Sequence, residues 1–422
     1  MKLSALVTKT AKESSKADVS RNAQLLIRAG FVDQLMAGVY SYLPLGLKVL
    51  SNIERIVREE MEVLGAQEIL MPALQPREIW DQTERWDKVD VLFKLKGAGD
   101  RDLALGPTHE EVVTPLMGRF IQSYRDLPKA VYQIQTKFRN EPRAKSGLLR
   151  GREFRMKDMY SFHTDQADLD QFYELAIEAY KNVYRRCGLG DLTLVTYASG
   201  GVFSKYSHEF QTITPYGEDI VYRLPDTDIA INKEIIEDKE ALAEIIPNYK
   251  DGDEKSLEEM KAIEVGNIFK LGSRFTDAFG INYADAEGQQ GKIVMGCYGI
   301  GPSRVMGTIA EVLSDDKGLV WPDEVAPYHV HLVSLCRDEA DISKCNEIYD
   351  TLQKMGISVL YDDRSGIQAG AKLGDADLIG LPRRVVVSSR TLAENSVEFK
   401  ARYDDMAVIT PIETFYSGGC TR

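Results

Sequence analysis

Along the first 65 residues, apolar positions recur with the spacing of a helix face. Two amphipathic helices are predicted, Ser20–Met36 and Leu45–Leu64, the second carrying Val49, Ile53, Ile56, Val57 and Met61 on one side. Short apolar runs of strand character follow at Glu68–Met71, Leu103–Gly106, Val131–Phe138 and Phe154–Phe162, then at Leu192–Tyr197, Ile263–Leu271 and Gly291–Tyr298. A helix is predicted over Ser303–Leu313. Strands in hairpin-like succession, with helices set apart, point to an α+β domain on an antiparallel sheet. Beyond the Pro-punctuated stretch Trp321–Pro327 the rhythm changes. Strands at Val330–Cys336, Ser358–Tyr361, Arg384–Val387 and Val397–Tyr403 alternate with helices at Ala340–Met355 and Ala371–Leu381. That alternation predicts a compact α/β domain with a mostly parallel sheet. The expected division is therefore 1–325 and 326–422.

Composition agrees with two domains: 422 residues, 44% hydrophobic and 28% charged, exceed one ordinary core and are too balanced for disorder. The formal charge of −13 argues against a generic nucleic-acid-coating protein, without excluding a local basic site. No run of about 18 apolar residues predicts a membrane span, and Met1–Ser20 lacks the apolar run of a signal peptide. Five scattered cysteines (187, 297, 336, 345 and 420) with no C-x-x-C pair argue against a disulfide framework or a Cys-type zinc site. A cytoplasmic enzyme is the simplest expectation.

The charge is not evenly spread. Lys233–Glu264 holds 5 Lys and 11 Asp+Glu and is expected to be a solvated helical appendage. Lys137–Lys157 holds 8 basic and 2 acidic residues, net +6. There two strand-like segments flank a loop with Pro142, Ser146 and Gly147. Alternation puts Arg150, Arg152, Phe154, Met156 and Asp158 on one face. Arginines, an aromatic ring and carboxylates on one sheet surface are poor core material but suit a nucleotide. Guanidinium forks match phosphate oxygens, Phe154 can stack on a purine, Glu141 can accept from an exocyclic amine, and Asp158 can hold Mg²⁺.

Three further segments carry candidate chemistry. Gly296–Arg304 (GCYGIGPSR) is neither a dinucleotide fingerprint nor a Walker loop; it reads as a strand entering a helix with Arg304 at its first turn. In Gly106–Glu111 (GPTHEE), Thr108 and Glu110 lie on one side of an extended segment, or Thr108 caps a helix. Ser207–Phe210 (SHEF) sets His208 beside a carboxylate. No HExxH, GxSxG or paired metal-ligand spacing occurs, so hydrolase and zinc-enzyme readings drop out.

In order, these segments resemble the three signature motifs of class II aminoacyl-tRNA synthetases, and among them the bacterial-type prolyl family. The stretch ending GAQEILMP at Pro72 resembles motif 1, FRNE (Phe138–Glu141) with Arg150, Phe154 and Asp158 motif 2, and GCYGIGPSR motif 3. The prolyl assignment rests on GPTHEE, on Arg150–His163, on SHEF and on the GCYGIG form of motif 3. The resemblance implies a catalytic domain on an antiparallel sheet flanked by helices, plus a C-terminal anticodon-binding domain. It implies a ligase joining L-proline to tRNA(Pro) through an ATP-derived prolyl-adenylate, with ATP and Mg²⁺ as cofactors and a homodimer formed through motif 1. Arg139 would serve the α-phosphate and the proline carboxylate, and Glu141 the adenine amine. Phe154 and Arg304 would sandwich adenine, with Arg304 reaching the γ-phosphate, while Arg150 meets the β- and γ-phosphates. Asp158 would take Mg²⁺. Thr108 and Glu110 would hold the proline imino group, and His208 and Cys297 line its pocket. Asp363, Arg364, Glu398, Lys400 and Arg402 would read anticodon bases.

Departures are informative. Only residues 211–263 separate Phe210 from Glu264, where many bacterial relatives carry an editing domain, so a short form without cis-editing is expected, with mischarged tRNA cleared by a separate protein or not cleared at all. Phe203, Ser204 and Lys205 depart from the usual approach to the SHEF histidine, and Ala144-Lys145-Ser146 departs in the motif 2 loop. A cysteine pair that some relatives carry near Leu224–Asp228 is absent, so no structural zinc is expected.

Overall fold

The computed structural model describes residues 1–13, 20–200, 206–227 and 229–419; Phe203, Ser204, Lys205, Asp228 and Cys420 lie outside the described residues. The chain forms two compact units. One is Ala37–Val39 with Glu54–Thr308, and the other Met1–Met36, Tyr40–Ile53 and Ile309–Arg422. Most of the first 53 residues thus join the C-terminal unit, where the expected division at 325 put them with the catalytic domain.

The larger unit is built on a nine-stranded sheet. From one edge, Gln67–Glu68, Lys129–Phe138, Glu153–His163, Val294–Ile300 and Glu258–Gly272 are successive neighbours. Asp219–Arg223, Ala230–Asn232, Thr193–Ser199 and Tyr206–Ile213 follow, and the last also pairs back onto Glu258–Gly272. Pairing is antiparallel except for Gln67–Glu68 on Lys129–Phe138 and Ala230–Asn232 on Thr193–Ser199. Strand alternation divides the side chains of Glu153–His163 between two layers. Tyr160 and Phe162 meet Val113 and Met117 of the helix Glu110–Met117 in one core. On the other face lies the helix Gln166–Arg186. Its buried Leu169, Tyr173, Ile177, Tyr180 and Tyr184 recur with helical period, and Tyr180 stands 4.8 Å from the Phe210 ring. Asp165 caps this helix by accepting from the Asp168 N–H at 3.0 Å, and Gly188, at φ +75°, follows its last turn.

Two expectations change. The first predicted helix stops at Arg28, because Gly30 takes φ +74° and the Phe31 N–H returns to the Leu26 carbonyl; strands Val32–Met36 and Val39–Tyr42 follow. The acidic spacer is not a solvated helical appendage. Its helix is only Lys239–Ile245, and residues from Glu258 onward form the fifteen-residue strand at the middle of the sheet. Ile231, Ile235, Ala241, Leu242, Ile245 and Ile246 form a small core beneath the charges. The apolar residues are few enough that the charge run masks them in sequence.

In the C-terminal unit, Val359–Asp362, Val330–Ser334 and Arg383–Val387 are parallel, while Ser396–Ala401 and Val408–Pro411 extend the sheet antiparallel. Half of the pairings, not most, are parallel. The helix Glu339–Lys354 covers one face through Cys345, Ile348 and Leu352, and Ala376 of the helix Ala369–Ile379 packs on the other with Val333 and Val386. The amino-terminal segment extends the sheet edge, where Lys2 bridges to Tyr361.

The proposed anticodon readers divide accordingly. Asp363 accepts from the Ser4 N–H (3.0 Å) and hydroxyl (2.7 Å). Arg364 is bound to Asp362 (2.7 Å) and Asp375 (2.8 Å), and Arg402, beyond the strand end, is bound to Asp315 by two bonds at 2.7 and 2.8 Å. Those two guanidinium groups are engaged inside the unit. Glu398 and Lys400 share a strand face opposite Val386 and Arg384.

Because the spacer has its own core, Leu242→Ala should cost about 3 kcal/mol of stability, as for other buried leucines. Urea unfolding measures it; an unchanged midpoint would contradict a spacer packed into the fold.

Candidate active site

The hairpin Lys129–Phe138/Glu153–His163 sets the first wall of a cleft. Phe154 and Met156 point into it, and Arg139, Glu141 and Arg150 come from the connection between the strands. The second wall is Glu264, Val265, Gly266 and Asn267, and the end is closed by Gly299, Gly301, Ser303 and Arg304 where Val294–Ile300 enters the helix Pro302–Val312. A Cβ at Gly299 would lie 2.9 Å from both Met156 Cε and Asn267 Oδ1, so a larger residue there would have to push those two side-chain ends aside. The motif 3-like glycines therefore serve strand packing as well as access.

Charge in the cleft is unbalanced toward positive. Arg304 Nη1 donates to the Glu264 carboxylate (3.0 Å) and to its carbonyl (2.9 Å). Arg139 lies over the Phe154 ring at 5.2 Å and makes no ion pair among the described residues. Burial, and after it the charge of Arg304, push the pKa of Arg139 down. Two guanidinium groups thus face one space with one close carboxylate between them, an arrangement that favours an anionic occupant. Arg150, exposed at the rim, stands 3.9 Å from Glu218.

Deeper in the unit, Thr108, Glu110 and Cys297 come together. The Thr108 hydroxyl donates to Glu110 Oε2 (2.6 Å), and the Cys297 thiol points to Oε1 (3.4 Å). Thr108 is therefore not a helix cap; His109 occupies the N-cap position. Burial, then Glu110, pushes the Cys297 thiol well up, so it stays protonated and acts as wall rather than nucleophile. Arg85, which no motif singled out, stands 3.4 Å from Glu110 and 2.7 Å from Glu111. Burial pushes Glu111 up to about 6 against the pull of Arg85. Cys297, which meets Glu110, and Gly299, which lines the cleft, alternate onto one face of Val294–Ile300, so the Thr108–Glu110 cluster and the cleft lie along the same strand.

Two expected site residues stand elsewhere. Asp158 is 1% exposed and enclosed by Lys137 (2.8 Å), Gln133 (3.0 Å) and Tyr160 (3.0 Å). Although burial opposes its charge, Lys137 and His109 hold its pKa below the usual carboxylate range. It does not fit as a Mg²⁺ ligand, since its charge is already neutralised out of solvent. The described residues hold no group of three or more His, Cys, Asp or Glu arranged for a metal. His208 also turns away. Its strand register pairs it with Ile268, which pairs with Tyr298 on the face covered by Gln166–Arg186, whereas Cys297 pairs with Phe269 and Tyr160 on the opposite face. The His208 Nδ1 bonds the Tyr173 hydroxyl (3.0 Å), and burial, with Lys270 adding to it, pushes its pKa down to about 4. Its neighbour Glu209 takes the site-facing side.

The comparisons with known proteins follow this geometry. The profile of the tRNA synthetase class II core domain (G, H, P, S and T) matches residues 93–313, and that of the anticodon binding domain residues 327–417. The proline–tRNA ligase of Dehalococcoides mccartyi strain 195 is 34% identical over 556 aligned positions, covering 98% of this chain and 97% of that protein. More than a hundred positions of that relative thus have no counterpart among these 422 residues. The proline–tRNA ligase of Geobacillus sp. WCH70 is 34% identical over 90% of this chain and 92% of its own. In fold, the chain is similar to Giardia lamblia prolyl-tRNA synthetase in complex with prolyl-adenylate (TM-score 0.74, 23% identity, 92% of this chain and 74% of that one). It is also similar to the Cryptosporidium parvum enzyme complexed with L-proline and AMP (TM-score 0.74, 19% identity, 94% and 76%). With both domains matched in order and relatives aligned along nearly its whole length, the chain belongs to the proline–tRNA ligase family of class II aminoacyl-tRNA synthetases.

Proposed function

We propose that this chain joins L-proline to tRNA(Pro) in two steps within this one site. The observation that carries the reading is Arg139: a half-buried guanidinium over the Phe154 ring, without an ion pair among the described residues and lining the same cleft as Arg304. Proline enters with its imino group toward Glu110 and the lone pairs of Thr108. A positively charged secondary amine in a desolvated pocket needs such a carboxylate. Its carboxylate then lies toward Arg139, beside the α-phosphate of ATP. A proline carboxylate oxygen attacks the α-phosphorus, the bond to the β-phosphate oxygen breaks, and pyrophosphate leaves with the electron pair. The 3′-terminal adenosine hydroxyl of the tRNA next attacks the prolyl carbonyl, losing its proton as AMP departs. Positioning and charge neutralisation carry both steps, with Arg139 and Arg304 on the phosphates, Phe154 against the base and Glu141 toward its amine.

Finer parts of the reading follow from the same family. Val63, Leu70 and Leu74, all exposed around the sheet-edge strand Gln67–Glu68, support a homodimer through this face. Glu398 and Lys400 are the side chains best placed to meet anticodon bases. The cytoplasm, where tRNA and ribosome meet, is the location this activity implies. The missing hundred or more positions support a chain that relies on a separate protein to remove alanine from tRNA(Pro).

The carboxylates behind Arg304 are crowded. Glu209 Oε2 accepts from Asn232 (2.8 Å) and Gln211 (2.9 Å), and Gln211 reaches Asp219 (3.3 Å). Burial, then Glu264, pushes Glu209 up to about 7 and raises Asp219 as well. An acid with a raised folded pKa favours the fold when protonated; that contribution is complete below about 4.5 and lost as the pH rises through about 7. Glu209→Gln, which keeps the acceptor, should therefore raise the Tm above wild type at pH 8, with the two curves converging by pH 5. A pH-independent difference contradicts a buried, protonated Glu209.

ATP–pyrophosphate exchange across the amino acids tests the activity, and proline should support it most strongly, with slow exchange from alanine. Exchange driven by threonine or histidine would refute the substrate, and none with any amino acid would favour a tRNA-binding paralogue. Arg139→Ala should reduce exchange by at least about a hundredfold, the loss typical of removing one charge-stabilising group; retained activity would displace Arg139 from the phosphate. Incubated with tRNA(Pro) and alanine, the purified chain should accumulate alanyl-tRNA, and rapid deacylation by this chain alone would show an editing site.

A further inference from the structure

Behind the Thr108–Glu110 pair lies a fully buried polar network that the two steps do not use. His109 and Lys137 are both 0% exposed. The Lys137 ammonium contacts His109 Nδ1 and pairs with Asp158 Oδ1 at 2.8 Å. An ammonium has donors only, so Nδ1 must be the acceptor, and the imidazole proton sits on Nε2. That nitrogen is 2.9 Å from the Pro72 carbonyl, to which it donates. The backbone N–H of His109 donates to the Tyr160 hydroxyl (3.0 Å), which itself donates to Asp158 Oδ2 (3.0 Å) and stands 3.4 Å from the Thr108 hydroxyl. From the other side, Gln75 Nε2 donates to the Thr108 carbonyl at 3.1 Å.

The same network holds the segment that ends the motif 1-like stretch. The Met71 N–H donates to Gln133 Oε1 (3.0 Å), and Gln133 Nε2 donates to Asp158 Oδ2 (3.0 Å). Among the described residues His109 thus reaches with its side chain from the amino-acid loop to the backbone of Pro72, and Lys137 decides which way its single proton points.

We propose that His109 is a positioning residue for proline, its Nε2–H tautomer, selected by Lys137, tying Pro72 to the loop that carries Thr108 and Glu110. The proposal rests on reading that loop as the proline pocket. The groups facing the imidazole are Lys137, Asp158, Glu110 and the Pro72 carbonyl. Burial and then Lys137 push its pKa down to about 4, so the ring stays neutral while the enzyme works. Losing the tie frees the loop that positions Thr108 and Glu110, while the nucleotide cleft keeps its walls, because neither His109 nor Pro72 lines it. The consequence falls on the affinity for one substrate only.

Three variants of the full chain separate this from a general structural role, with exchange kinetics and Tm measured for each. His109→Gln carries an amide N–H at roughly the Nε2 position, whereas His109→Asn carries it at the Nδ1 position and cannot reach Pro72. His109→Leu carries neither. The expected result is a rise in KM for proline of about tenfold or more for Asn and Leu, the size of one lost buried hydrogen bond. Gln should remain within about threefold of wild type, and KM for ATP should be unchanged in all three. Equal losses in Asn and Gln, a parallel rise in both KM values, or an unchanged KM for proline overturns the proposal. If Leu alone fails to fold, the Asn–Gln contrast decides. Wild-type chain without proline-dependent exchange overturns the reading of the pocket itself, and this proposal with it; wild-type exchange with unresponsive variants overturns only the tie.

Discussion

A lysine and an aspartate sealed between two strands constrain everything built above them. Lys137 and Asp158 are 0% and 1% exposed, and their ion pair spans the hairpin that forms one wall of the active site. Taking two charges out of water is costly, and such a pair seldom adds net stability over apolar residues of similar size. What it supplies here is uniqueness of position. The pair leaves one tautomer for His109, one direction for the Tyr160 hydroxyl and one orientation for the Gln133 amide, whose oxygen then faces the Met71 N–H. Each of those bonds fixes a backbone segment that carries, or borders, a substrate-facing group. The site is thus held from below by a network that touches no substrate.

Above it the electrostatics reverse the impression left by the whole chain. A protein of net charge −13 gathers Arg139, Arg150 and Arg304 around one cleft and, among the described residues, leaves Arg139 without an ion pair. Glu264 restrains Arg304, while Glu209 and Asp219 behind it are bonded to Gln211. An acidic total is compatible with an RNA and nucleotide substrate when contact is made through a few placed arginines rather than a basic surface.

Much of this was legible from residues alone, and the failures have physical causes. The strands of the C-terminal unit were readable because fully buried β-branched runs, such as Val385–Val387, leave little ambiguity. The long helix Gln166–Arg186 went unnoticed because tyrosines fill its core positions and dilute the apolar period. Glu258–Gly272 was credited only from Ile263, since its first residues belong to the acidic run. Arg139, Phe154 and Arg304 could be singled out because their residue types are wrong for a core. Asp158 satisfied the same criterion and misled, because its partner Lys137 lies diagonally across the hairpin, a relation that single-strand alternation does not reveal. His208 was misplaced by one residue of alternation, which sets it against Tyr173 and leaves Glu209 facing the site. The ion pairs of Arg364 and Arg402 are not legible in sequence, because the acids that hold them include Asp375 and Asp315, which are distant along the chain.

The central claim, that the Lys137–Asp158 pair fixes geometry rather than supplying stability, is tested most directly by a double-mutant cycle. Lys137→Met, Asp158→Leu and the double variant would be compared by urea unfolding and by KM for proline. The account predicts that each single change costs about 3–5 kcal/mol by stranding a buried charge, while the double variant recovers most of that stability. In the double variant KM for proline should nonetheless stay raised, because His109 has lost the group that sets its tautomer. Additive losses of stability, or a double variant with wild-type KM for proline, would contradict it.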